Sequence, residues 1–236
     1  MMSRTALPVF IHLPKTAGTF VRQVLMSKYQ YVGTAYPTPP YKPLASMNAR
    51  ERHALCNSDV VIGHESLHSF KESLDCPVVF YTIMRNPVDR LISYYNHAMS
   101  YSQRYEKGKV SPLKFIEEEF DYERDNLQLR YLSGKRVTQK VDEGDLEAAI
   151  RKVDLGEIRV GIQEVMGETM RRLDIFKGAR LEDYPRANES LFGFSRSSLT
   201  EYELDAFRRR SRLDMQLYSY CLDRFRKQAA SEVVDN

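Results

Sequence analysis

The chain of 236 residues contains no tryptophan and only three cysteines, which are Cys56, Cys76 and Cys221. An odd number of widely spaced cysteines excludes a disulfide framework and predicts a protein of a reducing compartment, the cytoplasm. No apolar run approaches the length that crosses a bilayer, and the first residues do not form a signal peptide, so no membrane span is predicted. The sequence lacks an H-E-x-x-H motif, a Cys-His cluster and a D-x-D cluster, and therefore predicts no metal site.

The formal net charge is +3, from 35 lysines and arginines against 32 aspartates and glutamates. Arginines are concentrated in the last third of the chain, but no aromatic-basic RNA motif accompanies them, so nucleic-acid binding is not predicted. The length and composition fit one α/β domain that spans residues 1–236. Nothing in the pattern indicates an oligomeric state.

Residues 9–20 begin with a β-branched and aromatic run, break at Leu13 and Pro14, and continue into small residues. This pattern predicts a strand, an anion-binding loop and a helix, in which backbone N–H groups and the Lys15 ammonium face a phosphate or sulfate. Gly18 lets the backbone approach the anion closely, and threonine hydroxyls add donors. The residues that we predict to hold this anion are Lys15, Thr16, Ala17, Gly18, Thr19 and Phe20.

This segment differs from the phosphate loop of nucleotide hydrolases, whose pattern is G-x-x-x-x-G-K-[ST]. Here the lysine precedes the glycine instead of following it, which argues against Mg-ATP as the ligand. A kinase or nucleotide hydrolase is therefore a less favoured alternative, and a protein that binds a nucleotide without turnover is another. Dependence on a metal would separate the kinase alternative from a metal-free transferase.

Residues 77–95 repeat the order of apolar strand, turn and amphipathic helix. Arg85 follows the strand, at the edge where open α/β sheets bind ligands, and Ser93 lies two helical turns further on. An arginine fork and a hydroxyl suit a second phosphate. The alternative is that Arg85 pairs with Asp89 or with a carbonyl oxygen, and that Ser93 faces solvent. Two such segments on neighbouring strands favour a ligand with two anionic groups.

Together, the runs PKTAGT at 14–19 and RNPVDRLISYY at 85–95 resemble the carbohydrate sulfotransferases, above all the uronosyl 2-O-sulfotransferases and their bacterial relatives. Weaker likeness continues to about residue 178. The resemblance implies that the first segment binds the 5′-phosphosulfate of 3′-phosphoadenosine-5′-phosphosulfate (PAPS), and that Arg85 and Ser93 bind its 3′-phosphate. It also implies an α/β, three-layer, P-loop-like fold in which helices flank a central, mainly parallel sheet.

The same resemblance raises two further expectations. Related sulfotransferases cover the nucleotide with a late basic loop, a role for which Arg196 and Ser197 are candidates. Many eukaryotic relatives are tethered in the Golgi, whereas this sequence shows no tether, which again predicts a cytoplasmic enzyme. A Golgi-lumenal location would fit only a chain from which an anchor had been removed.

A short apolar strand over residues 59–64 ends in His64, our candidate general base. Transfer of a sulfuryl group to an alcohol needs a group of near-neutral pKa that takes the hydroxyl proton, and imidazole is suited to this. The resemblance also implies a catalytic histidine at this point. His68 competes for the role, because it is predicted to lie one helical turn after His64.

The predicted reaction is an in-line displacement at sulfur, in which His64 takes the proton and Lys15 stabilises the leaving phosphate. The product of the donor is 3′-phosphoadenosine-5′-phosphate (PAP), and no metal is predicted. The acceptor is a small molecule or a glycan, and a sugar hydroxyl is indicated by the resemblance alone. Asn126 and Gln128 either reach the acceptor or cap the active-site side of their helix. The residues predicted to contact the acceptor are His12, Tyr36, Glu65, His68 and Asn126.

The remaining pattern predicts helices. Ser111 and Pro112 indicate a helix start, residues 121–132 are predicted to be continuously helical, and residues 142–155 form a further helix before a late strand at 157–162. A capping box of Thr200 and Glu203 predicts one long final helix. Its apolar side chains, Tyr202 included, are predicted to lie in the core. The segments 33–43 and 178–198 are predicted to be long functional loops.

Overall fold

The computed structural model describes residues 6–36, 41–101, 110–117, 122–185 and 194–234. Within these ranges the chain forms a five-stranded parallel sheet in the order β2-β3-β1-β4-β5. All of the strand pairs are parallel. The strands are β1 Leu7–Ile11, β2 Val32–Ala35, β3 Val60–Gly63, β4 Val78–Met84 and β5 Ile158–Ile162.

The helices of the described chain cover both faces of this sheet. They are α1 Gly18–Lys28, α2 Ala49–Cys56, α3 Leu67–Ser73, α4 Pro87–Tyr101, α5 Pro112–Glu117, α6 Leu127–Leu132, α7 Glu143–Asp154, α8 Met166–Arg172, α9 Glu201–Arg210 and α10 Arg212–Val234. None of the helices in the part of the chain that is described is long and apolar enough to cross a membrane.

Successive side chains of a strand point to opposite faces, and the core divides accordingly. Phe10 of β1 packs with Val21 and Val24 of α1 on one face. Val9 and Ile11 of the same strand pack on the other face, in a cluster that includes residues of α3, α6, α7 and α10. The three-layer, P-loop-like α/β class predicted from the sequence is therefore confirmed.

The register of the sheet explains why the candidate segments meet. In the central strand β1, Ile11 pairs with Gly63 of β3 on one side and with Thr82 of β4 on the other. The carboxyl ends of the three strands therefore lie at one edge of the sheet, where parallel α/β proteins bind ligands. The two candidate anion-binding segments follow β1 and β4, which are neighbours as predicted, and His64 follows β3.

Two helix predictions are wrong in detail. The stretch 121–132 is not continuous: a 3₁₀ turn at Tyr122–Arg124 is separated from α6 by Asn126, whose left-handed backbone (φ 48°) breaks the helix. Asp121 lies outside the described residues. The predicted final helix is two helices, because α9 ends at Arg210 and α10 begins after Ser211.

Other details agree with the sequence. Thr200 and Glu203 form the predicted capping box, although it starts α9 and not the last helix, and α5 begins at Pro112. Tyr202 is 62% exposed and does not belong to the core, contrary to the prediction. The loop predicted at 33–43 starts as strand β2, and its residues 37–40 lie outside the description, as do residues 186–193 of the second predicted loop.

Candidate active site

The segment between β1 and α1 is held in an unusual backbone conformation. Lys15 and Ala17 have φ values of 70° and 65°, in the left-handed region that L-residues rarely adopt. Such strain is typical of ligand-binding turns. Ala17 offers no side-chain cap to α1, and the first turn of α1 contains no acidic residue. The positive end of the helix dipole is therefore not neutralised by a side chain of the helix start, an arrangement that suits an external anion.

The two threonines of this segment differ. The Thr16 hydroxyl donates to the Leu13 carbonyl oxygen over 2.8 Å, and its residue is 1% exposed. Its hydroxyl proton is thus committed to the loop, which corrects the expectation that it serves the anion. Thr19 lies exposed on the first turn of α1. Phe20 is buried, and its ring meets that of Tyr184 edge-on at 5.9 Å, so its side chain packs against the protein.

Arg85 connects the second segment to the first. Its Nη1 donates to the Lys15 carbonyl oxygen over 3.2 Å. Burial lowers the pKa of Lys15, and the nearby positive charge of Arg85 lowers it further. Burial also lowers the pKa of Arg85, although Asp89 and Glu164 oppose that shift. Two desolvated cations side by side form a site that an anion with several charges would stabilise.

The sequence left Asp89 or a carbonyl oxygen as alternative partners of Arg85. The carbonyl partner is observed, at Lys15, whereas Arg85 and Asp89 form no ion pair among the described residues. Asp89 lies 3.4 Å from Nε of Arg196 instead. Arg196 also donates through Nη2 to Oδ1 of Asn86 over 2.9 Å, so it borders the second segment. Ser197 bonds to the hydroxyl of Ser195 at 2.8 Å. Ser93 is half-buried, two turns into α4.

His64 is set up as an acceptor of a proton. Its Nδ1 lies 2.9 Å from the backbone carbonyl oxygen of His12. Because a carbonyl only accepts, Nδ1 carries the hydrogen and Nε2 keeps a free lone pair. Burial lowers the pKa of His64 to about 4, against an opposing effect of the bond to His12. The imidazole is therefore neutral at pH 7, but its pKa lies well below the near-neutral value expected from the sequence.

The ring of His12 joins His64 to the phosphate-binding loop. The two imidazoles stack with centroids 4.0 Å apart and planes 27° apart. A Cβ on Gly18 would fall 1.3 Å from Nε2 of His12, so the absence of a side chain at Gly18 makes room for this ring. Burial lowers the pKa of His12 well below its usual value, and His64, Arg22 and Lys15 lower it further.

Tyr36 completes this group. Its hydroxyl lies 3.1 Å from Nδ1 of His12, and its ring meets His64 edge-on with centroids 4.9 Å apart. The Tyr41 ring follows at 5.3 Å from Tyr36. The structure thus brings together three of the sequence-predicted residues, His12, Tyr36 and His64, beside the start of α1.

The remaining predicted acceptor residues are Glu65, His68 and Asn126, and each contacts another residue of the protein. Glu65 accepts from the Leu44 backbone N–H at 2.9 Å, and burial raises the pKa of its carboxyl. His68 does not lie one helical turn from His64, because α3 begins only at Leu67, and its Nε2 is 3.1 Å from Glu72 of the same helix.

Asn126 neither reaches toward an acceptor nor caps its own helix. Its Oδ1 accepts from the backbone N–H groups of Leu213 and Asp214, at 2.8 and 3.0 Å, at the start of α10. Its amide nitrogen donates to Asp125 at 2.9 Å. The side chain of Asn126 therefore connects α6 to α10, which corrects both sequence-based interpretations.

Sequence reasoning missed two residues at this edge. Glu164 accepts from the Asn86 backbone N–H at 2.7 Å and so holds the second segment from the end of β5. Arg22 lies with its guanidinium carbon 5.2 Å from the Tyr41 ring centre, and it lowers the pKa of His12. Its spacing of four residues from Gly18 was the available signal, since i and i+4 share a helix face. Among the described residues no group of three or more His, Cys, Asp or Glu side chains is arranged to hold a metal.

The sheet defines an α/β protein, and the two candidate segments place Lys15 and Arg85 at the carboxyl edge of its strands, an arrangement suited to a ligand of several negative charges. A model of the sulfotransferase family matches residues 1–141, and the chain belongs to that family. No curated protein sequence matches it. A crystal structure of mouse sulfotransferase SULT7A1 complexed with PAP matches with 11% identity and a TM-score of 0.42. That match covers 88% of this chain, which spans 64% of the length of the mouse chain.

Proposed function

We propose that this chain transfers a sulfuryl group from PAPS to a hydroxyl group of a carbohydrate, with residues 1–236 acting as one domain. The observation that carries the proposal is the bond from Arg85 Nη1 to the Lys15 carbonyl oxygen, which joins the two anion-binding segments. The single domain is supported by the packing of α10, beyond the matched residues 1–141, on the same core cluster as β1.

The donor site has the chemistry that a nucleotide with both a 3′- and a 5′-anionic group requires. Lys15 and the N–H groups at the start of α1 would hold the 5′-phosphosulfate, and Arg85 with Ser93 would hold the 3′-phosphate. Arg196 borders the second segment and would add a third cation. The donor supplies the sulfuryl group, and no residue of the chain needs to be sulfated.

The proposed base is Nε2 of His64. It takes the proton of the acceptor hydroxyl as the O–S bond forms, while the bond from sulfur to the 5′-phosphate oxygen breaks on the opposite side. Lys15 and the loop N–H groups are preorganised to stabilise the charge that develops on the leaving phosphate. The hydrogen bond to the His12 carbonyl fixes the tautomer that this step needs.

A carbohydrate acceptor is supported by the family resemblance and by the aromatic wall beside His64. The Tyr36 ring lies next to the proposed base but is buried, whereas the Tyr41 ring packs against Tyr36 and is partly exposed. Tyrosine combines an apolar face for stacking on a sugar with a hydroxyl that bonds to it.

The experiment that tests the donor site is calorimetric titration with PAP in EDTA, compared with ATP and magnesium. We expect metal-free binding of PAP, weakened by about tenfold or more in Arg85→Ala, because a charged hydrogen-bond partner of the 3′-phosphate is lost. Arg151→Ala, on the exposed face of α7, is the matched control and should bind PAP normally. Tighter binding of ATP with magnesium than of PAP would refute the proposal.

The base is tested with His64→Asn, which keeps a polar side chain but cannot take the proton. Sulfuryl transfer from labelled PAPS to a panel of acidic and neutral oligosaccharides should fall by about 10²-fold or more while PAP affinity stays unchanged. In the free protein, NMR of the histidine ring protons should show His64 titrating well below pH 6.5. Full transfer by His64→Asn would eliminate His64 as the base.

A further inference from the structure

The side-chain amide of Gln128 makes two hydrogen bonds to the backbone of Arg85. The Arg85 N–H donates to Oε1 of Gln128 over 3.1 Å, and Nε2 of Gln128 donates to the Arg85 carbonyl oxygen over 2.9 Å. Arg85 is the first residue after β4, which ends at Met84. The amide therefore pairs with Arg85 as a neighbouring strand would, at the point where the sheet ends.

Gln128 is itself held in place from two directions. Its residue is fully buried, and its backbone N–H donates to the carboxylate of Asp214 at 3.1 Å, beside that of Leu129 at 2.8 Å. In turn, Oδ1 of Asn126 accepts from the backbone N–H groups of Leu213 and Asp214 in the first turn of α10. The first turns of α6 and α10 thus cap each other, which leaves little freedom to Gln128.

The Asp214 carboxylate, which caps α6, also interacts with the charge of Arg90 on α4. Asp214 and Arg90 are both buried in the core. Burial raises the pKa of Asp214 to about 6 and lowers the pKa of Arg90, and the charge of each group opposes the shift of the other. Arg90 lies on the helix that follows Arg85, and its Nη2 donates to the Glu123 carbonyl oxygen. The backbone of Arg85 is consequently fixed to a unit formed by α4, α6 and α10.

We propose that Gln128 is a positioning residue for the nucleotide, which sets the direction of the Arg85 guanidinium through these two backbone bonds. The proposal rests on the proposed function, because it takes Arg85 to bind the 3′-phosphate. Small displacements of a charged fork relative to its ligand weaken the bidentate contact, so a group that fixes the backbone affects affinity without touching the ligand.

The test substitutes Gln128→Met, which keeps the length of the side chain and removes both bonds. Calorimetry should show PAP binding weakened by about tenfold, the expected loss for two neutral hydrogen bonds. Binding of adenosine 5′-phosphate, which lacks the 3′-phosphate, should change by less than about twofold. In an Arg85→Ala background, Gln128→Met should add little further loss, because the residue acts through Arg85.

Gln128→Glu is the second variant, and it guards against misfolding of the first. An ionised carboxylate accepts from the Arg85 N–H but cannot donate to the Arg85 carbonyl, whereas a protonated carboxyl does both. The loss of PAP affinity relative to wild type at the same pH should therefore shrink between pH 8 and pH 5.5. Asp214, which accepts from the Gln128 backbone N–H and has a pKa raised to about 6, titrates in this range in both proteins, so the variant is compared with wild type at each pH. Thr169→Val is the control, since Thr169 makes the same pair of backbone bonds to Ile162 at the end of β5.

Equal weakening of PAP and adenosine 5′-phosphate by Gln128→Met, or full additivity with Arg85→Ala, would overturn the positioning role. A comparable loss in Thr169→Val would also overturn it, since the effect would then be one of general loosening. Failure of the wild-type protein to bind PAP would instead refute the proposed function, and this is measured before any variant.

Discussion

The segment after β1 places its charges with its own backbone, whereas the segment after β4 depends on residues far along the chain. In the first, Lys15 and Ala17 adopt left-handed conformations within a turn that leads directly into α1. In the second, Arg85 is held by Gln128, and Asn86 by Glu164. One half of the site is therefore local in sequence, and the other half exists only when the tertiary structure has formed.

This difference separates two kinds of variants. A change in the local segment alters the chemistry directly and should leave the remote supports intact. A change in a remote support should weaken the nucleotide contacts while the reacting groups keep their geometry. The expected effects are largest where a charge faces the leaving group and smallest where only backbone strain is relieved.

The largest effect is expected for Lys15→Met. Loss of a preorganised cation at the leaving phosphate should lower kcat for sulfuryl transfer by about 10² to 10³-fold, with a smaller loss of PAP affinity. Single-turnover kinetics with labelled PAPS measures the chemical step. Lys152→Met is the matched control, because Lys152 has a pKa also lowered by burial but donates to the Ser133 carbonyl oxygen. A kcat that falls only as PAP affinity falls would assign Lys15 to binding alone.

Gly18→Ala comes next, because it alters the local segment by steric means. The new methyl group would meet Nε2 of His12 at 1.3 Å, so the ring must shift, and His64 stacks on that ring. We expect sulfuryl transfer to fall by about tenfold or more and the free energy of unfolding to drop by about 1 to 3 kcal/mol. Enzyme assays and urea denaturation measure the two effects.

Gly167→Ala provides the control for this substitution. Gly167 lies in α8, and a Cβ there would have its nearest neighbour, Leu181, at 4.0 Å. Because alanine favours a helix over glycine, this variant should be as stable as wild type or up to about 1 kcal/mol more stable. If Gly18→Ala behaved like Gly167→Ala, the contact between His12 and Gly18 would not constrain the site.

The same division between local and remote explains what the sequence could predict. The strand, turn and helix at residues 9–20 follow from a local pattern, and the parallel order of β3, β1 and β4 brought His64 to the expected edge. The break at Asn126 was missed because it is stabilised by α10, 87 residues away in sequence. The sequence indicated Gln128 as an acceptor contact or a helix cap, but neither its bonds to Arg85 nor the bond of Glu164 to Asn86 carries a local signal, since each is made to backbone groups that any residue provides.

A smaller effect is expected for Arg196→Gln. This arginine is partly exposed and contacts the second segment through Asn86 and Asp89, so solvent screens its contribution. PAP affinity should weaken by about threefold, as measured by calorimetry at low salt, and the loss should shrink as salt is raised. Arg208→Gln is the control, because Arg208 forms a similarly exposed pair with Asp205 on α9. Unchanged PAP binding in Arg196→Gln would remove the late segment from the donor site.

The smallest effect is expected for Ala17→Gly, which relieves strain without changing a charge. The left-handed conformation of Ala17 costs an L-residue about 1 to 2 kcal/mol, and the greater flexibility of glycine in the unfolded chain offsets roughly half of that gain. Urea denaturation should show a net stabilisation of about 0.5 kcal/mol, with transfer activity close to wild type. Ala54→Gly, on the exposed helix α2, should instead lose up to about 1 kcal/mol. If Ala17→Gly and Ala54→Gly lost stability equally, the left-handed conformation of Ala17 would not be a source of strain. The segment after β1 would then depend on its surroundings as much as the segment after β4 does.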